Sequence, residues 1–242
     1  MIYVSLTTIP SRINSISHSI NSFLDQTVKP DKIFLNIPRK YKRFNSIITD
    51  DQIPKLDSIV EITRCEDYGP GTKLLGSLKK IKSKSLVILA DDDHIYKNYM
   101  IEKFLHYYSL DSNNAYSFYV HPLPEFGIGQ GADGFAINSD YLNGVDKFYE
   151  IIVKENKELF LQDDLWISFF LKYIKKNKIL SLQQHLQTND QGQKELIYNK
   201  HIESNGLILN YGKNLREAVA KRDEIAIENI KYIKEKINNL KF

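Results

Sequence analysis

Leu86-Val87-Ile88-Leu89-Ala90-Asp91-Asp92-Asp93 is the stretch that decides the fold. Its apolar half is unbroken and of strand length. Such a run reads as a strand buried on both faces, as parallel sheets require. Three carboxylates follow at once. In open α/β sheets, ligands sit beyond the carboxyl ends of strands. Adjacent carboxylates repel one another, and a divalent cation relieves that repulsion. Oxygen ligands suit Mg²⁺ or Mn²⁺, and such an ion can bridge to a nucleotide diphosphate. The plainer reading is a solvated acidic turn or a helix cap, and the placement behind this strand weighs against it.

Working outward, strands and helices alternate. Ile2 to Leu6 has strand length, and Pro10 breaks the chain after it. Ile13, Ile16, Ile20, Phe23 and Leu24 then recur at helical spacing. Lys32 to Ile37 and Ile59 to Thr63 read as further strands. Thr72 is placed to cap a helix carrying Leu74, Leu75, Leu78 and Ile81. This order predicts a central, mostly parallel sheet flanked by helices. Beyond residue 95 we expect a helix over Met100 to Leu110, a strand over Ala115 to Val120, and a loop bearing Gly127, Gly129, Gly131 and Gly134. A helix over Asp163 to Lys175 and an amphipathic helix over Leu215 to Leu240 complete the expectation.

Three further segments carry polar chemistry. Asp67-Tyr68-Gly69-Pro70-Gly71-Thr72-Lys73 leads into a helix N-terminus, which favours anions. It is too short for a Walker A loop and reads equally as a Pro-Gly turn. Gly131-Ala132-Asp133-Gly134-Phe135 presents one carboxylate in a tight loop, or is a bulge. In Gln162-Asp163-Asp164-Leu165-Trp166 the carboxylates either cap a helix or serve as a general base.

With 33 basic and 30 acidic residues the net charge is +3, a balance that gives no case for nucleic acid. The single cysteine, Cys65, excludes an intramolecular disulfide and fits a reducing compartment. The start lacks a basic n-region, and no apolar run approaches membrane-spanning length. The expectation is therefore a cytoplasmic protein with no transmembrane segment, any membrane contact being peripheral.

In order, Val4-Ser5-Leu6-Thr7-Thr8-Ile9-Pro10-Ser11-Arg12, Ser22-Phe23-Leu24-Asp25-Gln26-Thr27, Pro30-Asp31-Lys32-Ile33 and Leu35-Asn36-Ile37-Pro38 resemble the opening of family-2-like glycosyltransferases of GT-A type. The small bacterial and chlorovirus-type domains are especially similar. DYGPGTK (67–73), LVILADDDHIY (86–96), GADGFAI (131–137) and LQDDLW (161–166) continue the resemblance, which covers roughly residues 1–170.

The resemblance implies an α/β, GT-A-like, Rossmann-type fold, to which helical periodicity adds the C-terminal amphipathic helix. It implies a single domain over 1–242, with a nucleotide-binding half (1–95), an acceptor and catalytic half (96–180) and a C-terminal loop and helix (181–242). Asp91 and Asp93 match the ends of a DxD motif, Asp93 being the first choice for metal contact. Asp91 or Asp92 would meet the ribose or a metal-bound water. Thr7, Thr8, Pro10 and Arg12 fall where the first strand meets the nucleotide. Asp67 would accept from the base, as uracil N3–H requires, and Lys73 would contact the diphosphate or sugar. Asp133 and Gly134 would border donor sugar and acceptor. Asp164 is the favoured catalytic base, with Asp163 its alternative. A C-terminal histidine is a further metal candidate, His201 ahead of His185.

The implied activity is Mn²⁺- or Mg²⁺-dependent transfer of a sugar from a nucleotide-diphosphate donor, UDP-sugar favoured. The acceptor is a hydroxyl of a glycan or other molecule, and the configuration inverts. The rival readings are a sugar-1-phosphate nucleotidylyltransferase and a non-catalytic carbohydrate-binding domain on the same scaffold.

Overall fold

The sheet is built around the strand quoted above. The fold is described from a computed structural model, for residues 1–201 and 213–240. Strands β1 (Ile2–Thr7), β2 (Lys32–Pro38), β3 (Val60–Cys65) and β4 (Leu86–Leu89) form the N-terminal part of a seven-stranded sheet. β4 pairs in parallel with β1, β1 with β2 and β2 with β3. The other edge is β9 (Phe135–Asn138), β6 (Ala115–Ser117) and β10 (Ile179–Ser181). β9 runs antiparallel to both β4 and β6, while β6 and β10 are parallel. The strand order β10-β6-β9-β4-β1-β2-β3 thus places β4 at the centre.

Alternate residues of a strand face opposite sides of its sheet. On β4, Val87 and Leu89 enter one core, and Leu86 and Ile88, with Ala90 just beyond, enter the other. The second core is closed by α1 (Ile16–Leu24) and α3 (Met100–Leu110) through Ile16, Ile20, Phe23, Met100 and Phe104. The first is closed by α4 (Val145–Phe148), α6 (Asp163–Phe169) and the C-terminal helix α7 (Leu215–Leu240). α7 buries Ala226, Ile230 and Ile233 there. Each of those isoleucines contributes roughly 1.5–3 kcal/mol of apolar burial.

Local differences from the expected elements have physical causes. The strand expected over 115–120 is split. β6 ends at Ser117, and the chain leaves the sheet to form β7 (Val120–Pro122), a hairpin arm antiparallel to β8 (Gly127–Gly129). Part of the expected glycine loop is therefore strand. The helix expected over 163–175 is α-helical only to Phe169 and continues as a π-helical turn over Phe170–Ile174. Thr72 is the first helical residue of α2 (Thr72–Leu75), not its cap. Its Oγ1 accepts from the Tyr68 N–H at 2.9 Å and pins the preceding loop. Among the described residues no helix is long and apolar enough to cross a membrane.

Candidate functional site

The carboxyl end of β4 delivers Asp91, Asp92 and Asp93 to one side of the sheet. A short strand, β5 (His94–Tyr96), returns beneath them. The buried Tyr96 hydroxyl accepts from the Asp91 N–H at 2.9 Å and donates to the Gly131 carbonyl at 3.1 Å. Burial raises the Tyr96 pKa well above its ordinary value, so the hydroxyl keeps its proton. Tyr96 thereby joins the Asp run to the Gly131 turn. Ser19 of α1 holds the backbone from below, its Oγ 2.6 Å from the Asp92 carbonyl and 2.8 Å from that of His94.

Lys73 comes in from α2. A buried polar network fixes that helix to the sheet. Ser5 Oγ donates to the Lys73 carbonyl at 2.5 Å, and Asn36 Nδ2 donates to Ser5 Oγ at 2.9 Å. Lys73 is 3% exposed, and its Nζ lies 2.5 Å from Asp91 Oδ1 and 3.1 Å from Asp163 Oδ2. Burial lowers the pKa of this ammonium, but Asp163, Asp91 and Asp164 outweigh it and hold the pKa well above the usual lysine value. A charge-assisted bridge thus spans α2, the end of β4 and the N-terminus of α6.

Asp164 is held through its Oδ1, which accepts from the Gly131 N–H at 3.0 Å. Burial, then the neighbouring Asp163, push the Asp164 pKa well above the ordinary carboxyl value. Asp163 is also raised by burial, against the pull of Lys73. Asp133 closes a 3₁₀ turn (Gly131–Asp133) and is raised to about 7 by burial, with Asp91 adding and His94 opposing. Gly134 has φ +73°, and a Cβ there would lie 2.8 Å from the Phe104 ring. Backbone conformation and packing therefore account for this glycine.

Arg12, from the turn after β1, reaches the other side of the Asp run. Its Nη1 is 2.7 Å from Asp92 Oδ1 and 3.2 Å from Asp93 Oδ2. Asp92 is raised by burial, with Arg12 opposing. Thr7 and Thr8 stand at the same strand end: Thr7 Oγ1 donates to the Asn36 carbonyl at 2.8 Å, and the Thr8 carbonyl accepts from the Tyr41 hydroxyl at 2.9 Å. Pro10 lies in the turn that follows. Asp67 is buried, and both its oxygens serve the loop, accepting from Lys42 N–H at 2.6 Å and Gly69 N–H at 2.8 Å.

Six carboxyl groups (Asp91, Asp92, Asp93, Asp133, Asp163, Asp164) thus stand against the cations Lys73 and Arg12. Protonation relieves the excess in part, as the raised carboxyl pKa values express. A divalent cation would relieve it without protonation. The ligand atoms for one are at hand: Asp91, Asp93 and His94 bring a carboxylate oxygen each and a ring nitrogen within 4.8 Å of one another. The residues present fit such an ion.

His94 is the member of this group that sequence reasoning did not select. It adjoins the Asp run in sequence, but nothing in the pattern says that β5 turns its ring toward Asp93, where Nδ1 and Oδ1 are 2.7 Å apart. His201, the expected C-terminal ligand, is paired opposite His94 by β11 (Tyr198–His201), antiparallel to β5. Its side chain lies outside the described residues. His185 instead pairs with the Tyr107 hydroxyl.

No protein-family model and no curated protein matches the sequence. Solved structures do match. The mannosyltransferase PcManGT from Pyrobaculum calidifontis, solved with GDP-Man and Mn²⁺, aligns at a TM-score of 0.55 and 10% identity, over 98% of this chain and 74% of that one. S. aureus TarS residues 1–349 align at 0.49 and 13% identity, over 74% of this chain and 58% of that one. The 2-C-methyl-D-erythritol 4-phosphate cytidylyltransferase of Francisella tularensis aligns at 0.48 and 11%, over 80% and 92%. At these identities the likeness is one of fold, and the fold is GT-A-like.

Proposed function

We propose that this chain transfers a sugar from a nucleotide-diphosphate donor, a UDP-sugar by preference, to a hydroxyl of a glycan or other acceptor, with inversion. One observation carries the reading: a three-ligand group (Asp91, Asp93, His94) converges with Lys73 and the Asp163–Asp164 pair at the carboxyl end of the central strand. Held there by those three ligands, a divalent cation would neutralise the leaving diphosphate. Two carboxylates with an imidazole suit Mn²⁺ better than the oxygen shell that Mg²⁺ prefers. His201, opposite His94 in register, is a further candidate ligand. Arg12 lies closer to Asp92 than to Asp93, so a metal at Asp93 competes with the longer of its two contacts.

Asp164 takes the proton of the acceptor hydroxyl as its oxygen attacks the anomeric carbon. The bond from that carbon to the diphosphate oxygen breaks, and its electron pair leaves with the diphosphate. Burial and the neighbouring Asp163 raise the Asp164 pKa, which makes the ionised carboxylate a stronger base. Asp163, held by Lys73, is the lesser candidate. Lys73 supplies fixed positive charge beside Asp91, toward the diphosphate. Thr7, Thr8, Pro10, Arg12 and Asp92 line the nucleotide side, Asp67 the base side, and Asp133 and Gly134 the border with the donor sugar.

The test is calorimetric titration with UDP, GDP, CDP and dTDP, with and without Mn²⁺, for the wild type and Asp93→Ala. Tight binding of one nucleotide that needs both metal and Asp93 is expected. Absence of binding to all four by the folded protein refutes the donor site. Pyrophosphate release from a nucleoside triphosphate and a sugar 1-phosphate would assign the site to nucleotidyl transfer instead. Product that retains the donor's anomeric configuration would remove Asp164 from its role.

A further inference from the structure

Beside Asp163 and Asp164 lies a pocket of about 210 Å³. It is walled by β7, by the turn entering α6, and by the C-terminal helix α7. His121 of β7, Gln162 just before α6 and Asp164 in its first turn, and Arg222, Asp223 and Ala226 of α7 all face it. Pockets for drug-sized ligands run to about 300–1,000 Å³, so this one suits a single ring. Its wall joins segments about 100 residues apart in sequence, as the separation of His121 from Arg222 shows.

The polar groups of the wall are arranged among themselves. Arg222 Nε and Nη2 lie 3.1 and 3.0 Å from Asp223 Oδ1, and Nη2 is 2.9 Å from His121 Nε2. Burial and then Arg222 lower the His121 pKa, so the imidazole is neutral near pH 7. The guanidinium charge is therefore matched by Asp223, and the cluster as a whole is neutral. Asp164 also lines the pocket, and its ionised form has no cation within hydrogen-bonding distance among the described residues. A ligand bearing carboxylate or phosphate would meet the Asp163 and Asp164 carboxyl groups and a guanidinium whose charge Asp223 already offsets. A hydroxyl meets donors and acceptors alike.

Gln162 gives the second, independent sign of a ligand. It is 7% exposed, and its Oε1 accepts from Asn229 Nδ2 of α7 at 3.2 Å. Its Nε2 is buried and has no hydrogen-bond partner among the described residues. Buried amide donors are nearly always satisfied. Gln162 lines the pocket with this donor unspent, and the apolar faces of Ala226 and Ile128 would meet the C–H surface of a ring.

We propose that this pocket is the acceptor subsite, and that it takes an uncharged sugar ring read by Gln162, His121 and the Arg222–Asp223 pair. The inference rests on the glycosyltransferase reading above and names its acceptor class. It also gives α7 a role in specificity, because the helix supplies the charged half of the wall.

The test uses the full chain with UDP and MgCl₂. Ligand-observed saturation-transfer NMR is run with the methyl glycosides of glucose, galactose and mannose, and with glucuronate and glucose 6-phosphate. At least one neutral glycoside is expected to bind, with both charged sugars at least tenfold weaker. Arg222→Gln and Asp223→Asn are expected to weaken that glycoside at least tenfold, with folding checked by thermal melting. A measurement on the wild type avoids dependence on variants that fold: the same glycoside should shift the side-chain amide resonance of Gln162 and the ring resonances of His121. The inference is overturned if no neutral glycoside binds, if a charged sugar binds as well, if folded variants bind unchanged, or if Gln162 and His121 do not shift. Failure of the donor reading is seen separately, as absence of metal-dependent nucleotide binding in the calorimetric titration.

Discussion

Lys73→Met tests whether the site is held together by charge. Methionine matches the apolar stem of lysine out to Cε and lacks the ammonium. In the wild type that ammonium lies 2.5 Å from Asp91 and 3.1 Å from Asp163, with Lys73 3% exposed. Removing one partner of a buried ion pair costs about 3–5 kcal/mol, because the remaining charge is left uncompensated. For a chain of 150–250 residues, 1 kcal/mol shifts Tm by about 2–4 °C, so the variant should melt roughly 6–20 °C below the wild type at pH 8. The loss must also depend on pH. Without Lys73, Asp163 loses the main influence that opposes its burial, and its pKa rises further. At pH 5 the freed Asp163 carboxyl can take up a proton, and the deficit should shrink to less than half. Thermal melting of both proteins at pH 5 and pH 8, without added metal, gives the comparison. An equal deficit at both pH values would mean that Lys73 acts by packing alone, and the electrostatic account of the site would be wrong.

Asp133 gives a second pH effect with a defined sign. Its carboxyl rises from an ordinary 3.8 to about 7 on folding. Between those values the native state holds a proton that the unfolded chain has released, so stability falls as pH rises. The full effect is on the order of 4 kcal/mol. Asp133→Asn should flatten the fall of Tm between pH 5 and 8, and an unchanged slope would contradict the assignment. Gly69→Ala probes the loop that carries Asp67. Gly69 has φ +63°, and an added Cβ would lie 2.4 Å from the Phe160 carbonyl oxygen. Backbone strain of about 1–3 kcal/mol, added to the clash, should lower Tm by at least 4 °C. A variant as stable as the wild type would show that the loop shifts freely.

How much of this was legible in the sequence depends on the range of the interactions involved. β4 could be read because a strand covered on both faces must be apolar at every position, and Leu86 to Leu89 are all buried. α7 could be read from helical periodicity, which Ala226, Ile230 and Ile233 satisfy by facing one core. β9 was hidden among glycines. Phe135 to Asn138 is short, antiparallel and sandwiched between β4 and β6, so its partners rather than its own pattern make it a strand. The site divides in the same way. The Asp run announced itself by its place at a strand end, but the charge balance that explains it did not. Lys73 and Asp163 are 90 positions apart, and they meet because Ser5 and Asn36 fix α2 while Gly131 fixes the start of α6. Such a pairing has no local period and no spacing rule. The same holds for His121 with Arg222 and Asp223, whose residue types look like ordinary surface polarity until the hairpin and the last helix are brought together. The parts of the site legible in sequence are those set by one element's own periodicity or termination. The parts that give it electrostatic character arise where elements meet, and there the side chains compensate partners rather than follow a pattern.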